Sequence, residues 1–435
     1  LEPELKEELN SSALWNKYFN SLCDYMFIFI LKSIEQLNND GELIFICTEY
    51  WMNTTNSETL RDYMAQHGYI SEIYHFKEAS LFEGVCASFV IFKYIKSNTK
   101  RETLDFYRYI DERKINYESL VSKSCFKLIS IPQFESGHRW LLATSEQQNL
   151  LSSFEQHCSV GANDLFSTKA MNRIGDFCDI GNGMVSGLDK AFNITKLNNL
   201  SKKEEDASIK VLKAKDLGHY IHVTESRYFF LQERISETEF CKEYPNISAY
   251  ISEYKDQLNK RYNYGKDTQY WEFIFPRNLN LFSRKGKKIF VPCKERISNK
   301  NHFRFVLVND GYFPLQDVTA IVPKYNCQES IEYITAFLNN RRVFEWLGFN
   351  GIVKGYIVEF SEAPIASIPY RVIDWNNSKE IAIHDEITQS VRNFIMTHDE
   401  KYLATINNCF NTLFLSPSIT IPRPSKPSYM NSKRG

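Results

Sequence analysis

Lysines and arginines crowd one short stretch of this sequence: Arg284, Lys285, Lys287, Lys288, Lys294, Arg296, Lys300 and Arg304. Clustered cations of this kind neutralise phosphates and give a salt-dependent affinity that carries no sequence information, although runs of charge also serve as plain solvated faces. Over the whole chain the net charge is only −1, which excludes a protein that coats nucleic acid indiscriminately and leaves room for a local basic cleft. His67 and the other histidines have no carboxylate, serine or cysteine partner at a recognisable spacing, so no acid–base or nucleophilic site is assigned. No PD…(D/E)xK-like set of carboxylates stands ready for metal-assisted hydrolysis. The 10 cysteines, among them Cys23, Cys47, Cys86 and Cys293, never fall in a CxxC or similar spacing; buried free thiols are expected, and no zinc site. The glycines of Asp179-Ile180-Gly181-Asn182-Gly183 have the look of a cofactor loop. No βα unit with an acidic strand end follows them, and turn glycines are the expectation.

These residues need a scaffold. Leu22, Tyr25, Met26, Phe29, Ile30, Ile34 and Leu37 follow helical spacing, and Asn38-Asn39-Asp40-Gly41 ends that helix. Leu43-Ile44-Phe45-Ile46-Cys47 is a continuous apolar run, which suits a strand buried on both faces. Thr55 with Glu58 predicts a capping box opening a second helix that closes near Gly68. Strand-like runs follow at 70–76 and 87–95. The order reads as the last third of an α/β sheet finishing in an antiparallel hairpin. Three strands alone leave apolar faces and an edge bare, so either the chain is shortened or another polypeptide completes the sheet.

Residues 103–168 read as a mixed connecting region with a helix at 145–154. Beyond Ile174 short strand-like runs alternate with Gly, Asn and Asp turns, with helices near 247–260 and 330–346, as in an α+β domain. Residues 416–435, with four prolines, read as an extended tail. No apolar run reaches membrane-spanning length and no signal peptide is recognised, so a cytoplasmic location and no membrane partner are expected.

Two regions resemble the TaqI-type, gamma-class DNA N6-adenine methyltransferases. The first is carried by Cys23-Asp24-Tyr25, Asp40-Gly41-Glu42-Leu43-Ile44-Phe45-Ile46, Tyr50-Trp51, Leu60-Arg61-Asp62-Tyr63 and Leu81-Phe82-Glu83-Gly84-Val85. The second resembles the family's target recognition domain. It opens on Ile174-Gly175-Asp176-Phe177-Cys178-Asp179-Ile180-Gly181-Asn182-Gly183 and Ser186-Gly187-Leu188-Asp189-Lys190-Ala191-Phe192. It continues through Pro245, Leu258, Arg261, Tyr270-Trp271-Glu272, Pro276-Arg277 and Lys288-Ile289 to Leu338-Asn339-Asn340 and Ile368-Pro369.

The resemblance implies the closing portion of a Rossmann-like methyltransferase sheet (1–115), a connecting region (116–170), an α+β target recognition domain (171–375) and a helical segment with tail (376–435). It implies that Phe82 stacks on a flipped adenine, with burial at a turn as the alternative. Ser186, Lys190, Arg261, Tyr264 and Arg277 would line the DNA, joined by Arg284, Lys285, Lys287, Lys288, Lys294 and Arg296; Trp271 is expected in the core. A complete member also has a Gly-rich loop for S-adenosylmethionine and an Asn-Pro-Pro-Tyr motif, and this sequence contains no Pro-Pro pair. The resemblance therefore implies a DNA-recognition subunit or fragment, silent alone, that acts on double-stranded DNA in a heterodimer with the half that carries those motifs and binds most of the S-adenosylmethionine. The alternative is a non-catalytic specificity subunit, although such subunits usually show two recognition domains and one is found here.

Overall fold

The computed structural model describes residues 3–18, 24–77, 79, 81–83, 85, 87–110, 115, 117–159, 171–298, 300–354 and 357–415. Cys23, Gly84, Cys86 and the tail at 416–435 lie outside them. The protein is a mixed α/β structure. Its first part is a five-stranded sheet, with β1 (Glu42–Thr48), β2 (Gly68–His75), β3 (Phe89–Lys96), β4 (Thr103–Tyr109) and β5 (Phe126–Pro132) in the order β1-β3-β2-β4-β5. Antiparallel β3 lies between β1 and β2, with Ile46 opposite Ile91 and Ile73 opposite Phe92. β2 then pairs in parallel with β4, and β4 antiparallel with β5.

The helix Tyr25–Gln36 starts where Asp24 accepts a hydrogen bond from the Met26 amide at 2.9 Å. It buries Phe27, Ile30, Leu31 and Ile34 in one core with Leu43, Phe45 and Cys47 of β1. Two expectations need correction. Among the described residues the sheet has five strands, not three: β4 and β5 come from the stretch read as a connector, and their polar residues hid the pattern. The second helix does not open at Thr55, whose side chain lies outside the described residues. The second helix, Glu58–His67, starts at Ser57, whose hydroxyl is taken by the Trp51 and Thr54 carbonyls and the Arg61 guanidinium.

The helix Ser145–His157 opens on a capping box of Thr144 and Gln147 and leads to the second part. There a four-stranded sheet runs in the order Val306–Val308, Lys288–Pro292, Val318–Pro323, Cys178–Asn182. A three-stranded sheet of Tyr312–Pro314, Ser208–Leu212 and Ser226–Phe229 packs with it around one aromatic core that includes Phe229, Phe240 and Trp271. The single helix expected at 330–346 is two, Ile331–Leu338 and Arg341–Asn350. Asn339 donates to the Phe305 carbonyl at 2.7 Å, and Asn340 caps the second helix through the Arg342 amide at 2.9 Å. The stretch expected as helix at 247–260 is likewise split, into Pro245–Ser252 and Lys255–Asn259.

One buried carboxylate ties these elements together. Glu204 is fully buried and accepts from the Ser201 amide at 2.8 Å, the Asn246 amide at 2.7 Å and side chain at 3.0 Å, and the Ile247 amide at 3.1 Å. The last two amides are orphan donors of the helix beginning at Pro245. Burial works against the charge, but the bonds from Asn246, Ser201 and Ile247 outweigh it and pull the carboxyl down to about 2. A carboxyl depressed in the folded state stabilises above its unfolded value and loses that contribution as pH falls. We expect about 3 kcal/mol from Glu204 at neutral pH, lost between roughly pH 4.5 and 2. Urea midpoints measured against pH should show this loss in the wild type, and Glu204→Gln should be less stable at neutral pH and flatter across that window.

Candidate nucleic-acid interface

The loop after the strand Cys178–Asn182 is fixed by backbone contacts. A Cβ on Gly183 would lie 2.0 Å from the Leu315 carbonyl oxygen, so only glycine lets these chains approach. Met184 then donates to the Pro314 carbonyl at 2.9 Å, and Val185 exchanges two hydrogen bonds with Phe275 at 2.9 and 3.0 Å. Gly187 has φ +84°, and a Cβ there would meet Ile274 at 2.5 Å. The Ser186 hydroxyl is buried and donates to Asp189 at 2.5 Å, while Lys213 holds the other oxygen of that carboxylate. Burial opposes the Lys213 charge, but Asp189 outweighs it and raises the lysine above its ordinary value. Ser186 is thus spent on shaping the turn, whereas Lys190 is exposed, with its ammonium 5.2 Å from the Tyr254 ring.

These contacts also test S-adenosylmethionine, which the resemblance implies. The glycines of Asp179–Gly183 are filled by neighbours: Leu281 lies 2.8 Å from a Cβ on Gly181, and Leu315 takes the space at Gly183. Asp179 is paired with Arg284 at 2.6 Å. That stretch does not fit the methyl donor.

Arg261 acts as a clamp. Its guanidinium donates to the carbonyls of Ser186 at 2.7 Å, Gln269 at 2.9 Å and Glu272 at 2.7 Å, which joins the turn at 186 to both ends of the 262–268 loop. Burial lowers its pKa to about 10, with Glu272 opposing, so it stays charged at neutral pH. Arg277 does similar work: its Nε donates to the Gly183 carbonyl at 2.8 Å. Tyr264 is exposed on the loop that Arg261 closes. Tyr262, exposed beside it, was not a candidate from sequence; the signal that finds it is the alternation of basic and aromatic residues from Lys260 to Lys266. Trp271 is buried and stacks on Phe240 at 5.0 Å.

The basic run is largely neutralised by acids both within it and distant in sequence. Arg284 pairs with Asp179 at 2.6 Å and Lys287 with Glu332 at 2.9 Å. Lys288 is fully buried, held by the Arg284 carbonyl at 2.5 Å and Asp310 at 3.3 Å. Lys300 and Arg304 share the buried Glu295 at 2.6 and 2.7 Å. Lys285, Lys294 and Arg296 are exposed. The run therefore offers a solvent a much weaker field than its sequence suggests.

Phe82 stands apart from these loops, in the connection between β2 and β3. Its ring is 46% exposed and meets Phe89 edge-on at 5.0 Å. Phe89 pairs with Thr48, so Phe82 sits beside the carboxyl end of β1. Nearby, the Tyr50 hydroxyl donates to Asp24 at 2.5 Å, and His75 pairs with Glu49. Among the described residues no group of three His, Cys, Asp or Glu is placed to hold a metal, and no helix is long and apolar enough to cross a membrane.

Residues 2–82 match the family described as Eco57I restriction-modification methylase. Over 406 residues the chain is 45% identical to the type II methyltransferase M.HindII of Haemophilus influenzae, a match covering 92% of this chain and 78% of that protein. It is 42% identical over 402 residues to M.HincII, also of Haemophilus influenzae, across 92% of this chain and 77% of the relative. Among solved structures, the type IIL restriction-modification enzyme MmeI in complex with DNA superposes with a TM-score of 0.60 at 13% identity. That superposition covers 95% of this chain and 53% of the MmeI chain, so the chain spans about half of that enzyme and shares its fold. On the strength of the two Haemophilus relatives, the chain belongs to the methyltransferases of type II restriction–modification systems.

Proposed function

We propose that this chain reads double-stranded DNA for a gamma-class methyltransferase that modifies adenine at N6, and that it works joined to a half carrying the S-adenosylmethionine loop and Asn-Pro-Pro-Tyr. The observation that carries the reading is the state of β1. Among the described residues, β1 pairs on one side only. Its Leu43, Phe45 and Cys47 face the core, while Ile44 and Ile46, on the opposite face, are 67% and 45% exposed. An unpaired edge beside a bare apolar face is a place for further strands and a helix. Phe82 at the carboxyl end of β1 is then positioned as one wall of a pocket for a base taken out of its stack.

The same reading keeps the division in function along the chain: the first sheet completes the catalytic fold, and residues 171–375 serve as the target recognition domain. The loops at 183–192 and 260–277 and the exposed cations Lys190, Lys285, Lys294 and Arg296 are its DNA-facing residues. S-adenosylmethionine is assigned to the other half, whether that is a separate polypeptide forming a heterodimer or a further segment of one chain.

The test is complementation. The purified chain, alone and mixed with a polypeptide carrying both missing motifs, is incubated with labelled S-adenosylmethionine and duplex DNA, and the methylated base is identified. The chain alone should give background, the mixture N6-methyladenine. Ile44→Asp combined with Ile46→Asp should lower the mixture's activity at least about tenfold by blocking docking of the sheet, since each buried aliphatic is worth about 1.5–3 kcal/mol. Methyl transfer by the chain alone, or methylcytosine as product, would overturn the proposal.

A further inference from the structure

Residues 260–266 read Lys-Arg-Tyr-Asn-Tyr-Gly-Lys, and the fold treats them as a tip on a rigid base. Arg261 fastens the base through its carbonyl bonds to Ser186, Gln269 and Glu272. Beyond it the chain reverses tightly: the Asn263 side chain accepts from the Gly265 amide at 3.2 Å, the Asn263 carbonyl accepts from the Lys266 amide at 3.0 Å, and Tyr264 and Gly265 have φ of +56° and +71°. A tyrosine held in the left-handed region is uncommon and is maintained by its surroundings.

The turn presents aromatic surface to solvent. Tyr262 is 75% exposed and Tyr264 52%, their rings edge-on with centroids 4.8 Å apart. Behind them Tyr264 approaches Phe275 at 5.9 Å, and the Lys266 ammonium lies 4.0 Å from the same ring. Phe275 is in turn bonded to Val185, so the tip is continuous with the turn at 183–192. Lys260 and Lys266 flank the pair as exposed cations, while the one acid of the loop, Asp267, is paired with Arg234 at 2.8 Å. Two rings that pack against no core, set between lysines on a fixed base, match a polyanion with flat apolar faces.

We infer that Tyr262 and Tyr264 form an aromatic tip that stacks on a base at a partly opened step of duplex DNA, with Lys260 and Lys266 on the adjoining phosphates and Arg261 as the residue that positions the tip. This deepens the DNA-reading function proposed above and rests on it.

The test uses the full chain. Duplexes are enriched from a random-sequence pool by binding to the wild type, and affinities are then measured by fluorescence anisotropy across a salt series. Tyr262→Ala should weaken binding about tenfold with the salt slope unchanged, whereas Tyr262→Phe, which keeps the ring, should stay within about twofold. Lys260→Ala with Lys266→Ala should lower the salt slope by about 2. In duplexes carrying 5-iododeoxyuridine, the photo-crosslink should map to the peptide containing Tyr262 and Tyr264. Urea midpoints of all variants should match the wild type, because both rings are exposed. If Tyr262→Ala and Tyr264→Ala bind as the wild type does and the crosslink maps elsewhere, the tip is not a DNA contact and the DNA-reading function survives. If the wild type enriches no duplex, both fall together.

Discussion

Arg261→Met should lower the stability of this chain by about 3 kcal/mol or more and abolish ordered presentation of the 262–268 loop. The substitution keeps most of the apolar stem and removes the fork, so the carbonyls of Ser186 and Glu272 lose this donor at once, while that of Gln269 keeps the Glu272 amide at 3.0 Å. A carbonyl left buried without a partner costs about 1–3 kcal/mol, and here they are lost together from a charge-assisted cluster. Arg261→Lys should recover only part of the loss, since one ammonium cannot span acceptors on both the turn at 186 and the turn of residues 269–272. Urea midpoints measure the stability, and amide exchange at Gly265 and Lys266 measures the loop. Unchanged midpoints and unchanged exchange would show that the clamp is redundant.

Gly183→Ala is the second large effect. The added methyl would sit 2.0 Å from the Leu315 oxygen and 2.7 Å from the Pro314 oxygen, both backbone atoms that cannot swing aside. Relief requires the two chains to part, which breaks the bonds from Gly183 to the Val318 carbonyl and from Met184 to the Pro314 carbonyl, each 2.9 Å. Overpacking of a fixed backbone costs about 1–3 kcal/mol before those bonds are counted, so a loss of about 3 kcal/mol or failure to fold is expected. Gly348→Ala is the control. It lies within the helix Arg341–Asn350 with nothing within 4 Å of its added Cβ, and should stabilise by about 0.5–1 kcal/mol. Thermal or urea unfolding of the two variants side by side decides the matter.

Much of the scaffold was legible in local sequence because its causes are local. The apolar stripe from Tyr25 to Ile34 after the Asp24 cap, and the run from Leu43 to Cys47, dictate a helix and a strand wherever they lie. The turn at Asp40-Gly41 is legible for the same reason: Asp40 adopts φ +62°, a conformation to which short polar residues are suited. β4 and β5 were not legible, since Asp105, Arg108, Lys127 and Ser130 interrupt their apolar positions and only pairing with β2 and with each other makes them strands. The break between Ile331–Leu338 and Arg341–Asn350 was also hidden, because Asn339 and Asn340 end one helix and cap the next through bonds to Phe305 and Arg342.

The exposed state of the site was not a property of sequence at all. A charge is felt through its neighbours in space, and Arg284, Lys287 and Lys300 find theirs at Asp179, Glu332 and Glu295, two of them far away along the chain. Likewise Arg261 and Tyr262 are adjacent residues of ordinary solvated type, yet the fold half-buries one among carbonyls and leaves the other's ring in water. The sequence by itself determined the α/β elements, the methyltransferase resemblance and the apolar run of β1, because periodicity and turn chemistry act over a few residues. Only the tertiary structure decided which cations and aromatics remain available to a ligand, because burial and ion pairing depend on groups that the chain brings together from a distance.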